Sequence, residues 1–388
     1  MKISAVIAEY NLIHNGHIRQ FRMMSEHDGA DAGKLAVMSG NNVQRGEFAV
    51  LDKYTRAEAA VKCGADIVLE LPFPWSCSGA EFFASAAASL ICSIAKSSPQ
   101  HDYSLCFGSE SGDISEIELT AKRMSDEKYN SALAAERSAK AQRSESDIRL
   151  RSRLYKEIFG EELFRTPNDI LGVEYIRALK KQKCGNVVPY TIRREGAESA
   201  GASRKFYRDK NMTGLRRICP DAIFKIAEKE PYISVDAIYP AIVSWLLSPE
   251  KNPSPDTDGM TEDLFYRFIS EVKKSSSFDE LIHRTATKKY TDARLRRTLI
   301  LGFFGVTTEM LRTSPDFTFI LGISPKGREF LASLRRNYTG PELVTSPSDL
   351  TSDIAKPAFY ADNMYAVAKK LCPSYFIKKH PFILTTPN

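Results

Sequence analysis

No cysteine pair and no membrane-length apolar run occurs in this sequence. Its seven cysteines, at 63, 77, 92, 106, 184, 219 and 372, stand singly and in odd number, which excludes a disulfide framework or zinc ribbon and predicts reduced thiols. HExxH and CxxC are also missing, and no third ligand cluster accompanies the histidines, so no protein-borne metal site is expected. Nothing approaches the roughly 20 apolar residues that cross a bilayer. The first apolar run starts at Lys2 and is too short for a signal peptide, so a cytoplasmic protein is expected. Internal repeats are absent.

The remaining composition is that of an ordinary globular protein, with 43% hydrophobic and 26% charged residues, which excludes wholesale disorder. At 388 residues the chain is too long for one small core, and two domains are the expectation. Short apolar runs at Lys2 to Ala8, Lys34 to Ser39, Asp66 to Leu71, Tyr103 to Gly108 and Val187 to Ile192 alternate with helical stretches. Such alternation predicts an α/β fold: a Rossmann-like parallel sheet wrapped by helices over residues 1–214. Lys53 to Lys62 reads as a helix, with Asp52 as N-cap and Gly64 as its stop, and Ala80 to Ala95 as a buried one. Residues 115–164 form a polar helical insert, whose Arg149, Arg151, Arg153 and Lys156 read as a solvated face. Residues 215–388 read as mainly helical, with a loop at 248–259, a short strand at Phe317 to Leu321 and a helix at Tyr360 to Lys370.

The most informative segment is His14-Asn15-Gly16-His17, directly after the first apolar run. A helix opening there aims unpaired N–H groups and partial positive charge at the loop, which favours anions. Gly16 lets a ligand approach the backbone, and two imidazoles can donate hydrogen bonds to phosphoryl oxygens as pyrophosphate leaves. A surface pair is the alternative, ranked below phosphate binding because the segment ends a first strand, and a zinc pair ranks lower still because no third ligand cluster accompanies it.

Further candidates follow the other strands. Asn41, Asn42, Gln44, Arg45, Gly46 and Glu47 form a polar loop suited to reading an acyl group or a base edge, against the alternative of a surface loop. Gly108 offers close approach to a nucleotide or is a plain turn. Asn168 starts a helix as part of an N-cap pair or binds ribose or adenine. Arg193, Arg194, Arg204 and Lys205 are phosphate clamps or solvent-facing cations. The net charge of +6 is mild, yet Lys288, Lys289, Arg294, Arg296 and Arg297 crowd ten residues with one anion. That run suits a nucleic-acid backbone, with Tyr290 to stack on a base, or is a solvated helix face.

Taken together, AEYNLIHNGH (8–17), MSGNNVQRGE (38–47), DKYTRAEAAVKCGADIVLELP (52–72), SGAEFFA (78–84), FGSE (107–110), PNDILGVEYIRAL (167–179), KKYTDARLRR (288–297) and LGISPKGREFL (321–331) resemble the tRNA(Met) cytidine acetate ligase family of HxGH nucleotidylyltransferases. The resemblance implies ATP-dependent activation of acetate to acetyl-adenylate. Acetyl transfer to the wobble cytidine of elongator tRNA(Met) would follow, with Mg²⁺ accompanying ATP and no DNA or membrane partner. It implies an ATP site lined by Ile7, Ala8, Glu9, Tyr10, Asn11, His14, Asn15, Gly16, His17 and Gln20, together with Gly108, Asn168, Arg193 or Arg194, and Arg204. The chain departs from the family at Asn11-Leu12-Ile13-His14, where Asn-Pro-Phe-His is usual. It departs again at Ser199 to Lys205, where Gly201 replaces a threonine and Ser203 an isoleucine of the phosphate motif. Ser203 is expected to compensate in part for the lost hydroxyl. A small-molecule nucleotidylyltransferase and an RNA-binding protein with a degenerate nucleotide site are the alternatives.

Overall fold

Strand β1 (Lys2–Ala8) is buried along its five central residues, as a parallel strand covered on both faces must be. The computed structural model describes residues 1–138, 147–164, 166–195, 200–248, 256–334, 337–350 and 352–385. After β1 come helix α1 (Asn15–Asp28), β2 (Gly33–Ser39), a hairpin of β3 (Asn42–Val43) and β4 (Glu47–Phe48), α2 (Lys53–Lys62), β5 (Ile67–Leu71), α3 (Ala80–Ser97) and β6 (Asp102–Ser109). Helices α4 (Ile114–Met124), α5 (Glu127–Ser138), α6 (Asp147–Phe159) and α7 (Pro167–Lys181) precede β7 (Val187–Arg193). The next stretch is helical: α8 (Ala200–Arg208), α9 (Met212–Ile218), α10 (Asp221–Ala227), α11 (Tyr239–Leu247), α12 (Glu262–Val272), α13 (Phe278–Thr285), α14 (Asp292–Phe303) and α15 (Thr308–Arg312). The chain ends with β8 (Phe317–Ile323), α16 (Pro325–Leu334), β9 (Glu342–Val344), α17 (Lys356–Ala368) and β10 (Phe382–Ile383).

The expected α/β class holds, because the five early strands are where their apolar runs lie. In the sheet the order is β10-β8-β5-β2-β1-β6-β7, with β9 paired to β8. The chain runs outward from β1 in one direction through β2 and β5, and in the other through β6 and β7, every pair among these five being parallel. Strand order therefore reverses at β1, which opens a crevice beyond the carboxyl ends of β1 and β6. Local signals set the flanking helices as read: Asp52 accepts from Thr55 N–H at 3.0 Å and caps α2, and Gly64 takes φ +115° just beyond its end.

A boundary at residue 214 does not follow the core. β8 pairs antiparallel with β5, placing Ile323 opposite Ile67, and brings β9 and β10 into the same sheet. β8 is buried at all seven residues. The last third of the chain thus completes the sheet that the first third begins. Part of the helical insert (139–146) and of the 248–259 loop (249–255) lies outside the described residues. No helix among the described residues is long and apolar enough to cross a membrane.

Candidate active site

At the carboxyl end of β1 the chain turns into α1 through a cap built from the two histidines. His14 is the N-cap, with extended backbone, and its Nδ1 accepts the Gly16 N–H at 3.1 Å, while His17 Nδ1 accepts the His14 N–H at 3.2 Å. An Nδ1 that accepts carries no proton, so each neutral ring keeps its hydrogen on Nε2. The rings sit 4.0 Å apart, and Tyr10 stands edge-on to His17 at 5.1 Å. Burial pushes His14 down to about 4, with Arg194 and Arg204 adding to the shift. Burial also holds His17 well below the ordinary imidazole value, helped by His14 and Arg194. At neutral pH the pair is two uncharged N–H donors beside a helix N-terminus.

Both rings face a cavity of about 1250 Å³. Ile7, Ala8, Glu9, Tyr10, Asn11, Gly16 and Gln20 join His14 and His17 on its wall. Gln44 and Arg45 enter from the hairpin, Gly108 and Glu110 from β6, Asn168 from α7, Arg193 and Arg194 from the end of β7, and Arg204 from α8. Of the residues expected to hold ATP, only Asn15 is off the wall. Its side-chain amide donates to the Arg217 carbonyl at 3.2 Å.

A buried arginine and a half-buried carboxylate brace this crevice. Arg56 of α2, fully buried, donates to the carbonyls of Leu51 (2.9 Å), Glu9 (2.5 Å), Ser39 (3.0 Å) and Gly40 (2.5 Å). It ties the carboxyl ends of β1 and β2 together. Glu110 accepts from the N–H groups of Asn168 and Asp169, both at 3.2 Å, and from the Asn168 amide at 2.5 Å. The only sequence signal was a lone arginine on an alanine-rich helix and an acid after FGS. Asn168 is therefore no cap: α7 starts one residue earlier with Pro167, Thr166 takes the N-cap position, and the Asn168 amide meets Glu110 at the cavity wall.

The sequence matches the HIGH Nucleotidyl Transferase family over residues 1–378. It is 34% identical to a tRNA(Met) cytidine acetate ligase from Clostridium acetobutylicum, over 95% of this chain and 96% of that protein. A tRNA(Met) cytidine acetate ligase from Clostridium novyi is 32% identical, again over 95% and 96%. The chain belongs to the tRNA(Met) cytidine acetate ligase family. The fold agrees: a crystal structure of Thermotoga maritima TmcAL bound with alpha-thio ATP superposes with a TM-score of 0.86 at 29% identity, covering 100% of both chains. The apo form I of the same protein gives 0.87.

Several readings of family motifs are corrected by their surroundings. Asn41 does not face the cavity: it is buried, its amide donating to Asp362 at 2.8 Å and its carbonyl accepting Lys53 N–H at 2.8 Å. Glu47 is spent on Arg296 at 3.6 Å, leaving Gln44 and Arg45 as the loop's contribution. In the basic run, Tyr290 is buried, with Lys289 and Arg294 over its ring at 5.3 and 5.1 Å, so it offers no stacking face. Arg296 pairs with Asp279 at 2.6 Å as well as Glu47, and Arg297 lines the cavity and donates to the Gln44 carbonyl at 3.4 Å. These two arginines clamp the 44–47 loop onto α14 because Gly46, at φ +75°, lets the backbones touch. Lys205 is exposed and off the cavity wall, unlike Arg204. In the phosphate motif Gly201 lines the cavity, whereas the Ser203 hydroxyl is buried and donates to the Ala200 carbonyl at 3.0 Å, so it does not replace the missing threonine hydroxyl. Ser199 and the 196–198 segment before it lie outside the described residues.

Gly16 gives a direct test of the cap. A Cβ there would stand 2.8 Å from His14 Cε1 and 2.9 Å from Nδ1, closer than real contacts allow. Gly16→Ala is expected to rotate the His14 ring out of line. Steady-state ATP–pyrophosphate exchange should fall about 100-fold, the usual cost of misplacing a catalytic group by an ångström, with little change in thermal stability.

Proposed function

We propose that the chain joins acetate to ATP, releasing pyrophosphate, and passes the acetyl group from acetyl-adenylate to the N4 amine of the wobble cytidine in elongator tRNA(Met), forming N4-acetylcytidine. The observation that carries this reading is the pair of uncharged Nε2–H donors at the N-terminus of α1, on the wall of a cavity large enough for a nucleotide and a second substrate.

In the first step an acetate oxygen attacks the α-phosphorus and the bond to the bridging oxygen of pyrophosphate breaks. Negative charge grows on the leaving group, where His14 and His17 donate hydrogen bonds and Arg193, Arg194 and Arg204 supply positive charge. Neutral imidazoles suit the task, because burying them before ATP arrives costs far less than burying cations. Gly108 and Asn168, on the cavity wall, would take the nucleoside end, and Gln44 and Arg45 would take the acyl group and the incoming base. In the second step the cytidine amine attacks the acyl carbon, the mixed-anhydride C–O bond breaks, AMP leaves with the electron pair, and the amine gives up a proton. An acyl-adenylate is already activated, so this step rests on positioning. A wobble base in a single-stranded loop splays out at little cost. Such a protein works in the cytoplasm, where tRNA is modified.

Mg²⁺ would accompany ATP. The three cavity carboxylates do not fit a protein-held site for it: Glu9 accepts the Gln44 N–H at 2.9 Å and is raised in pKa by burial, Glu110 is committed to the start of α7, and Glu195 pairs with Arg19 at 2.9 Å. No group of three or more His, Cys, Asp or Glu suited to a metal ion occurs among the described residues. The cation would arrive with the triphosphate.

Incubation with ATP, labelled acetate and total tRNA, followed by nucleoside analysis, tests the whole sequence of steps. Label is expected in N4-acetylcytidine of elongator tRNA(Met) alone, and ATP–pyrophosphate exchange is expected to require acetate. Exchange that ignores acetate would instead make the chain a small-molecule nucleotidylyltransferase, and nucleotide binding with neither exchange nor label would leave an RNA-binding protein.

A further inference from the structure

Besides the 288–297 run, a second group of cations lies beside the cavity. Residues 200–218 hold six lysines and arginines against one carboxylate, in a chain that balances 54 against 48. They form α8 and α9, packed together, with Gly214 set close against Phe206. Buried Tyr207, Leu215 and Ile218 face the core, which leaves Lys205, Arg208, Lys210, Arg216 and Arg217 exposed on the outer side.

This surface is joined to the phosphate loop at two points. Arg204, on the cavity wall, donates to the Asn11 carbonyl at 2.8 Å. The Arg217 carbonyl accepts the side-chain amide of Asn15, the residue before Gly16. The turn that carries the histidines is therefore hydrogen-bonded directly to both α8 and α9. Its one carboxylate, Asp209, is bound by neighbouring Arg208 at 3.1 Å. Lys205, Lys210, Arg216 and Arg217 have no carboxylate partner within ion-pair distance among the described residues, though Arg216 lies over the Phe224 ring at 5.0 Å.

Resting on the function proposed above, we infer that α8 and α9 are the surface that holds the tRNA, taking the phosphates that flank the wobble nucleotide while its base enters the cavity. Charge complementarity favours RNA backbone here: unpaired, exposed cations at the lip of a site whose substrate base must be extruded from a polyanionic strand. The 288–297 run is the poorer candidate. Its tyrosine is buried, one arginine is paired to two carboxylates and another lines the cavity, so that Lys288 is its one fully exposed cation.

The triple variant Lys210→Gln/Arg216→Gln/Arg217→Gln changes exposed side chains outside the ATP-binding wall. Acetate-dependent exchange without tRNA should stay within about twofold of the unaltered protein, showing that fold and adenylation are intact. Affinity for tRNA(Met) should fall at least tenfold at moderate salt. The slope of log affinity against log salt should become shallower by about 2 to 3, as three phosphate contacts are lost. Lys288→Gln/Lys289→Gln is the comparison, with at most a twofold effect expected. Unchanged affinity and slope in the triple variant would overturn the inference, as would a loss confined to the 288–289 pair. If the unaltered protein showed no acetate-dependent exchange, the adenylation chemistry would fail, while the affinity comparison would still judge the surface.

Discussion

Replacing His17 by alanine is expected to lower acetate-dependent ATP–pyrophosphate exchange by about 10² to 10³-fold, the cost of removing one donor from a site that stabilises developing charge. The loss should fall on kcat more than on KM for ATP, because the ring is neutral and its hydrogen bond strengthens as charge gathers on the departing pyrophosphate. Its neutrality follows from burial, reinforced by His14 and Arg194. The substitution also removes the acceptor of the His14 N–H, so the His14 ring loses part of its support. Affinity for tRNA should be unaffected, since His17 lies on the cavity wall and not on the lip. Exchange within tenfold of the unaltered protein would show that the ring does not touch the reacting phosphates.

The site's central part was legible because it is local. β1, the two histidines and Gly16 occupy sixteen consecutive residues, and a capped helix after a buried strand is a short-range pattern. Asp52 as a cap and the five parallel strands were readable for the same reason. What remained hidden depends on partners far away in sequence. Arg297 looks like a surface cation in its own run, and only the fold brings it to Gln44, 253 residues earlier. Tyr290 has the composition of a stacking residue, yet the packing of the helical region covers it. Asn41 resembles its loop neighbours in every local respect, and its burial is decided by Asp362. Charge runs name the residue type; the tertiary partner decides its use.

That long-range partner carries the other large effect. Lys53, buried at the start of α2, donates to Glu70 at 2.7 Å and to Asp362 at 2.6 Å, joining the second helix, the fifth strand and α17 of the C-terminal third. Burial opposes its charge, but Asp362 and Glu70 outweigh burial and hold the ammonium above its ordinary pKa. Lys53→Met keeps the volume and strands two carboxylates without a cation, for which the expected destabilisation is about 3 to 5 kcal/mol, read as a lower urea midpoint at pH 7. The pH dependence identifies the cause. Burial already raises Glu70 to about 7 in the presence of the lysine, and without the lysine's charge its carboxyl would rise further, so the variant would hold its proton at higher pH than the unaltered protein does. Stability of the variant should then rise, relative to the unaltered protein, as pH falls from about 9 to 7, because protonation relieves the unpaired charge there while Glu70 of the unaltered protein is still ionised. A loss below about 1 kcal/mol, well under the cost of breaking a buried pair, or no relative recovery on acidification would mean that water or another cation satisfies the carboxylates. Asn41 hangs from the same Asp362 at the root of the loop that carries Gln44 and Arg45. Exchange activity should therefore decline along with stability, and recover with it when Glu70→Gln is added to remove one stranded charge.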